Sequence, residues 1–523
     1  MFEFTDGPQA WVGAWSEKRA ALTPDRTGLV DATTGERYTY AALDRRANRA
    51  SRLLRANGVG RGDGVAVVSR NRPAVVDLFL ATAKTGSVLA PLSHRLAPPE
   101  LAELLDRVDP ALLAVEAPFL DETRAALADA DTAAPAVVGI ETTDGAGTSG
   151  EVPTDVSTYT EALPADDGPV ETPTLAPDDT HLLLHTGGST GTPKETVVSH
   201  RAVVWNSLNT IASWGLRDDD VTPLTFPMFH TGGWNVVTVP IWHMGGTVVL
   251  AREFDPGQLL ATVEREGATV LVAVPAVLRM LTDHDDWTAA DLSSLRTVKS
   301  GGGPCRQSVM EKWWDRGIDL SQGYGLTECG PNNFAMPDGW PREKADTVGK
   351  PAMHVEARVV DDGEPVEHGT VGELQLRSPH AAAGYLDEPA ETEATFGGGW
   401  VSTGDLASVD AEGYYRIEGR KKDMFVSGGE NVYPSEVEAA LSAHDGVDEV
   451  VVVPVPHDRW GEVGKAVVEG DDSLTLADVE AFCDGRLAGY KVPKRLAFVD
   501  EMPTSGPEKI DRQAVVERFG GER

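Results

Sequence analysis

One stretch constrains this 523-residue chain more than any other: residues 181–194, His-Leu-Leu-Leu-His-Thr-Gly-Gly-Ser-Thr-Gly-Thr-Pro-Lys. Its apolar opening is the length of a single buried strand. The sequence then breaks into Thr186, Gly187, Gly188, Ser189, Thr190, Gly191 and Thr192 before closing on Pro193 and Lys194. Glycines let a backbone turn successive N–H groups toward an anion, and hydroxyls add further donors. The lysine supplies a mobile positive charge suited to phosphate oxygens. A Walker A loop is excluded, because G-x-x-x-x-G-K-[ST] cannot be placed here and Pro193 precedes the lysine.

Length and composition set the frame around this strand and loop. A chain this long exceeds one hydrophobic core and implies two to four folded units. Forty-six Lys and Arg against 82 Asp and Glu give a net charge of −36, which argues against nucleic acid or an anionic membrane as partner. The acidic residues are dispersed rather than gathered into a tail, and such self-repulsion suits a high-salt cytoplasm, where the Debye length at 1 M is about 3 Å. Cys305, Cys329 and Cys483 show no C-x-x-C spacing, so neither a disulfide framework nor a zinc site is expected. No apolar run reaches the roughly 18 residues of a membrane span, and the acidic start of the chain does not read as a signal peptide. A cytoplasmic location is expected.

Along the chain, residues 40–58 place apolar side chains at helical spacing, 64–69 read as a buried strand, 73–84 as a helix and 88–92 as another strand. This alternation predicts a parallel α/β layer. Residues 136–177, rich in Asp, Thr, Gly and Pro, read as an exposed connector. Strands are expected again at 270–275 and 295–300, the latter running into Gly301-Gly302-Gly303-Pro304. From 348 to 417 the texture changes to short strands and turns, as in a small antiparallel subdomain or barrel.

Several motifs carry chemistry. Gly323-Tyr324-Gly325 can lay an aromatic ring against a flat base; Thr327 offers a hydroxyl, and Glu328 a hard oxygen for Mg²⁺. Further on come Thr403-Gly404-Asp405, Gly419-Arg420-Lys421-Lys422, the pair Gly428-Gly429, and a terminal Pro503–Ile510 segment containing Lys509. In order and spacing this set resembles the adenylate-forming superfamily, and most closely its acyl-CoA synthetases of the fatty-acid and coumarate-ligase type.

That resemblance implies a large α/β N-terminal domain of layers with a small β-barrel subdomain (1–419), a hinge (420–423) and a small mobile α+β C-terminal domain (424–523). It also implies ATP-dependent ligation of a carboxylic acid to CoA through an acyl-adenylate, with Mg²⁺ as cofactor. The nucleotide would lie on residues 186–192 and Lys194, on Gly302, Gly303, Pro304, Gly323, Tyr324, Gly325 and Thr327, and on Asp405, Arg420 and Lys509. His230 would sit where the carboxylate meets ATP, and Gly233, Trp234, Gly301 and Gly330 would line the acyl pocket. Gly428 and Gly429 would line the CoA tunnel, Glu328 would hold the metal, and Lys422 would be the pivot.

On this reading Thr186, Lys194, His230, Glu328 and Lys509 are the catalytic set, and a homodimer is left open. A medium- or long-chain fatty acid leads as substrate. The alternatives are an aryl or o-succinylbenzoate acid, loading of a carrier protein, and nucleotide binding without catalysis. Two residues depart from the family pattern: Glu195 follows the loop lysine and Glu508 precedes the terminal lysine, each where glycine is common. An acid beside each phosphate-facing lysine is expected to weaken attraction for ATP modestly.

Overall fold

A computed structural model describes residues 13–142, 152–186, 194–504 and 510–521. An eight-stranded sheet dominates the N-terminal half, in the order 384–385, 194–199, 180–186, 88–92, 64–68, 110–116, 136–140, 157–158. Neighbouring strands run parallel from 180–186 to 157–158, whereas Lys194–Ser199 turns back antiparallel on Thr180–Thr186. Valine- and leucine-rich strands buried on both faces are what a parallel sheet covered by helices requires. Helix Pro73–Thr85 is buried along its whole length and stops at Gly86, which takes a left-handed φ of +74°.

The expected elements are present with small shifts of boundary: helix Tyr40–Ala56, strands Gly64–Val68 and Val88–Leu92, and strands Val270–Ala273 and Thr297–Ser300. The expectation of a connector over 136–177 needs correction. Ala136–Ile140 is a strand of the large sheet, paired with Pro110–Glu116, and its last three residues are buried. Its Ala-Val-Val-Gly-Ile run was outweighed by the polar residues after it.

Two smaller parallel groups complete the α/β part. Val270–Ala273, Thr297–Ser300 and Leu320–Gln322 form a three-stranded sheet. Strands 221–224, 247–250, 27–31 and 37–39 form a four-stranded one. The strand-rich region is built on a five-stranded antiparallel sheet, from 364–365 through 356–361, 372–377 and 401–409 to 415–420. A second five-stranded sheet with flanking helices makes the C-terminal unit, its long hairpin being Val447–His457 and Gly461–Gly470. Glu449 of that hairpin is tied to Arg306 at 3.0 Å and Arg279 at 3.4 Å, both from the large part. None of the helices among the described residues is long and apolar enough to cross a membrane. The three cysteines are free and buried.

Strand pairing changes the reading of Glu195. Side chains alternate across a strand, so Glu195 points to the face opposite Lys194. In register with His185, it is 1 % exposed, and neither carboxylate oxygen has a hydrogen-bond partner. Burial pushes its pKa up to about 7. The expected repulsion of ATP by a charge beside the loop lysine is therefore not what this residue provides. Because the folded state holds the proton more tightly than the unfolded chain, stability falls as pH rises from about 4.5 to about 7 and is level above that. Replacing Glu195 by Gln is expected to stabilise the protein by on the order of 1–2 kcal/mol at pH 8 and by little at pH 5, since a buried amide still lacks partners. Thermal midpoints of both proteins measured across that pH range check this.

Candidate active site

The strand ends converge where the large sheet, the three-stranded sheet and the strand-rich region meet. Thr186 and Lys194 are Cα partners at the mouth of the hairpin, so the loop between them starts and ends at one place. Gly187, Gly188, Ser189, Thr190, Gly191 and Thr192 lie outside the described residues, as do Glu508 and Lys509. Lys194 Nζ pairs with Glu391 at 2.7 Å and lies 5.4 Å from the centre of the Tyr385 ring. Glu391 is about half exposed, so a phosphate arriving at Lys194 displaces a solvated partner rather than a buried one.

Glu328 lies in the one-turn helix Thr327–Cys329, and the Tyr385 hydroxyl donates to its Oε1 at 2.9 Å. One carboxylate oxygen is thus held and the other remains for a hard cation, which fits Mg²⁺ chemistry. The segment that carries it is folded back on itself. Asn333 N–H donates to Tyr324 O at 3.0 Å, and a β-carbon at Gly325 would stand 2.0 Å from Pro331 O. Glycine at 325 therefore serves loop closure. Gln322 fastens the neighbouring turn, accepting from Cys305 N–H at 2.8 Å and donating to Ala345 O at 2.7 Å. Within that turn, Gly301 and Gly303 have open space where a side chain would be, and Gly302 requires a φ of +84°.

Tyr324, Asp405 and Arg420 come together from three separate segments. The Tyr324 hydroxyl donates to one oxygen of Asp405, and Arg420 Nε meets the other at 2.7 Å. Asp405 and Arg420 are cross-strand partners, so the sheet register sets their meeting. Asp405 is 6 % exposed, and its own backbone N–H donates to Thr403 Oγ1 at 3.1 Å. An aromatic ring, a fixed carboxylate and a guanidinium on one wall suit a ribose and its base.

Beyond them, His230 is exposed, its ring 4.5 Å from Phe229 and 5.8 Å from His185. Two residues assigned to the acyl pocket are placed otherwise. Trp234 is wholly buried, stacked on Phe79 at 4.3 Å, and donates to Met228 O at 2.6 Å, so it belongs to the core. A β-carbon at Gly233 would stand 2.4 Å from Pro227 O; this glycine admits the chain rather than a ligand. Both follow from the short π-helical turn Gly232–Val236, whose wide winding a helix-period reading misses.

Gly330, with a φ of +71°, packs against two buried side chains: a β-carbon there would stand 2.9 Å from Asn206 Oδ1 and 2.8 Å from His380 Cδ2, so this glycine too admits its neighbours. A β-carbon at Gly428 would strike the Trp460 ring at 2.3 Å, whereas Gly429, with a φ of +93°, has open space. Lys422 lies in the exposed turn Lys421–Asp423 that follows Arg420. Sequence reasoning missed Tyr385 and Glu391, which meet Glu328 and Lys194.

Strand ends, a glycine turn and a hairpin loop around a ribose-type wall define an adenylate-forming enzyme. Residues 16–386 match the AMP-binding enzyme family, and residues 436–509 match the AMP-binding enzyme C-terminal domain. The chain is 38 % identical over 512 residues to a feruloyl-CoA synthase from Amycolatopsis, covering 97 % of this chain and 99 % of that one. It is 31 % identical over 511 residues to the long-chain-fatty-acid–CoA ligase FadD13 of Mycobacterium tuberculosis, covering 97 % and 98 %. Among solved structures it is similar to ATP-bound MatB from Rhodopseudomonas palustris, with a TM-score of 0.87, 30 % identity, and coverage of 97 % and 99 %. The chain belongs to the AMP-binding enzyme family, the adenylate-forming superfamily, and is an acid–thiol ligase of the acyl-CoA synthetase type.

If the ribose-type wall works as its geometry suggests, Asp405→Asn should raise KM for ATP by roughly tenfold or more, because a charge-assisted acceptor is lost. KM for the acid should stay within about threefold. Initial rates with each substrate varied separately test the assignment.

Proposed function

We propose that the protein ligates an aryl carboxylic acid to CoA, consuming ATP and releasing AMP and pyrophosphate through an enzyme-held acyl-adenylate. The observation that carries the aryl reading is the order of similarity over nearly the whole chain, 38 % identity to the feruloyl-CoA synthase against 31 % to the fatty-acid ligase. That order reverses the lead that the motifs alone suggested.

In this reading the acid's carboxylate attacks the α-phosphorus of ATP near His230, forming the C–O–P linkage as pyrophosphate departs. The CoA thiol, losing its proton, then attacks the acyl carbon and AMP leaves. Positioning and charge neutralisation do most of the work. Lys194 and the hydroxyls of the loop meet the β- and γ-phosphates. Glu328, steadied by Tyr385, would hold the Mg²⁺ that neutralises them. Asp405 and Arg420 take the ribose, Tyr324 the base, and Lys509 the charge that develops between carboxylate and α-phosphate. Lys422 is the pivot on which the C-terminal unit turns, so that Gly429 serves the thiol step.

A panel of aryl acids and C2–C18 fatty acids, assayed for CoA-dependent AMP release, tests the proposal. Aryl acids should exceed fatty acids in kcat/KM by at least about tenfold, and the reverse order would overturn the reading. The half-reactions should also separate: Lys509→Ala should abolish adenylate formation while sparing thioester formation from supplied acyl-adenylate. Proline at 422 fixes φ near −65°, so Lys422→Pro should retain adenylation and lose thioesterification by roughly a hundredfold, about 2.7 kcal/mol of barrier. Quench-flow measurement of each half-reaction distinguishes these outcomes.

A further inference from the structure

Lys194 closes the hairpin of the phosphate loop, and the chain already supplies it with an anion. Its Nζ lies 2.7 Å from Glu391 Oε2. The two side chains are unequally held: that of Lys194 is 11 % exposed and that of Glu391 is 46 % exposed. The lysine is fixed by its surroundings, whereas its partner has water to turn to.

Glu391 is presented to the lysine by a helix that is tied down on both sides of it. Arg107 meets Glu388, just ahead of helix Pro389–Phe396, at 3.5 Å. Thr392 Oγ1 accepts from the Tyr385 N–H at 2.9 Å, and a β-carbon at Gly384 would stand 2.5 Å from Thr392 Cγ2. The helix therefore rests directly on the edge strand Gly384–Tyr385. That strand also carries the ring that lies 5.4 Å from Lys194 Nζ and the hydroxyl that donates to Glu328. Glu391, Lys194, Tyr385 and Glu328 thus form one continuous chain of contacts. A phosphate reaching from the Glu328 side to the lysine meets Glu391 as a rival for the same ammonium group. Two anions on one ammonium repel each other, and the solvated one leaves at lower cost.

We propose that Glu391 is a positioning residue that acts through Lys194: it holds the ammonium group before ATP binds, yields it to the β- and γ-phosphates, and takes it back as pyrophosphate leaves. The inference rests on the phosphate role given above to Lys194 and goes beyond it by naming the group that competes for that lysine. An internal anion of this kind weakens binding of ATP and speeds release of pyrophosphate. It leaves AMP unaffected, because AMP carries neither distal phosphate. The acid that opposes the triphosphate is then not Glu195, which follows the lysine in sequence, but Glu391, 197 residues away. An ion pair open to water on one side changes an equilibrium constant by a few-fold, so an effect of roughly threefold to tenfold is expected.

The test uses the full-length enzyme without any carboxylic acid, so that nothing turns over, and titrates it calorimetrically with Mg·ATP, magnesium pyrophosphate and AMP. Glu391→Gln, equal in size and uncharged, should lower Kd for ATP and for pyrophosphate by at least about threefold and leave Kd for AMP within about 1.5-fold. In a Lys194→Met background the same substitution should change neither ATP nor pyrophosphate binding. Unchanged or weaker pyrophosphate binding in Glu391→Gln would overturn the proposal. Equal tightening with and without the lysine would overturn it too, since the acid would then act by general repulsion. Should Lys194→Met fail to fold, Lys194→Gln takes its place with the same expected result. If the lysine variant alone binds ATP and pyrophosphate as the wild type does, the phosphate role of Lys194 fails, whatever Glu391 does.

Discussion

The antiparallel return of Lys194–Ser199 against Thr180–Thr186 is the contact on which the site depends. In a sheet otherwise parallel in this region, one hairpin brings Thr186 and Lys194 side by side and leaves a glycine- and hydroxyl-rich loop between them. Strand alternation then decides which side chains face the loop and which face the core. Lys194 turns to Tyr385 and Glu391, while Glu195 turns to the opposite face, where neither of its carboxylate oxygens has a hydrogen-bond partner. A shift of register by one residue would exchange those faces, burying the lysine and presenting the acid.

The second dependence is between sheets. The ribose-type wall exists because cross-strand pairing sets Arg420 against Asp405, and because the loop after Leu320–Gln322 carries Tyr324 to the same carboxylate. Gln322 ties the glycine turn to that loop from within the three-stranded sheet. Glu328 is then steadied by Tyr385, a residue of the short strand at the edge of the large sheet. Each group acts through a neighbour supplied by a different layer. Between the C-terminal unit and the large part, Glu449 stands in ion pairs with Arg279 and Arg306.

Polar burial gives the acyl side of the site its character. Trp234, the largest side chain offered by the motif after His230, is withdrawn into stacking with Phe79. Helix His200–Trp214 directs Asn206 and Asn209 inward: Asn209 donates to Asn332 O at 2.8 Å and accepts from His354 N–H at 3.0 Å. Asn206 is the member of that pair whose oxygen has no hydrogen-bond partner.

By itself the sequence determined the layers and the identity of the site's motifs. Runs such as Gly64–Val68 and Val88–Leu92 could only be buried strands, and helix Pro73–Thr85 follows from its proline start and glycine stop. Glycines at 323 and 325 marked a loop where bulk is excluded. These are local properties, set by period, by φ and by the absence of a side chain. Tertiary structure decided the rest. Whether Glu195 would oppose ATP depended on which face of a strand it took and on the dielectric there. Whether Trp234 lined a pocket depended on a π-helical turn and on Phe79, 155 residues earlier in the chain. The strand Ala136–Ile140 existed because Pro110–Glu116 offered an edge to pair with. Asn206, Gly330 and His380 carry no common motif; their meeting is set by a helix, a loop and a turn packing together, which no linear spacing encodes.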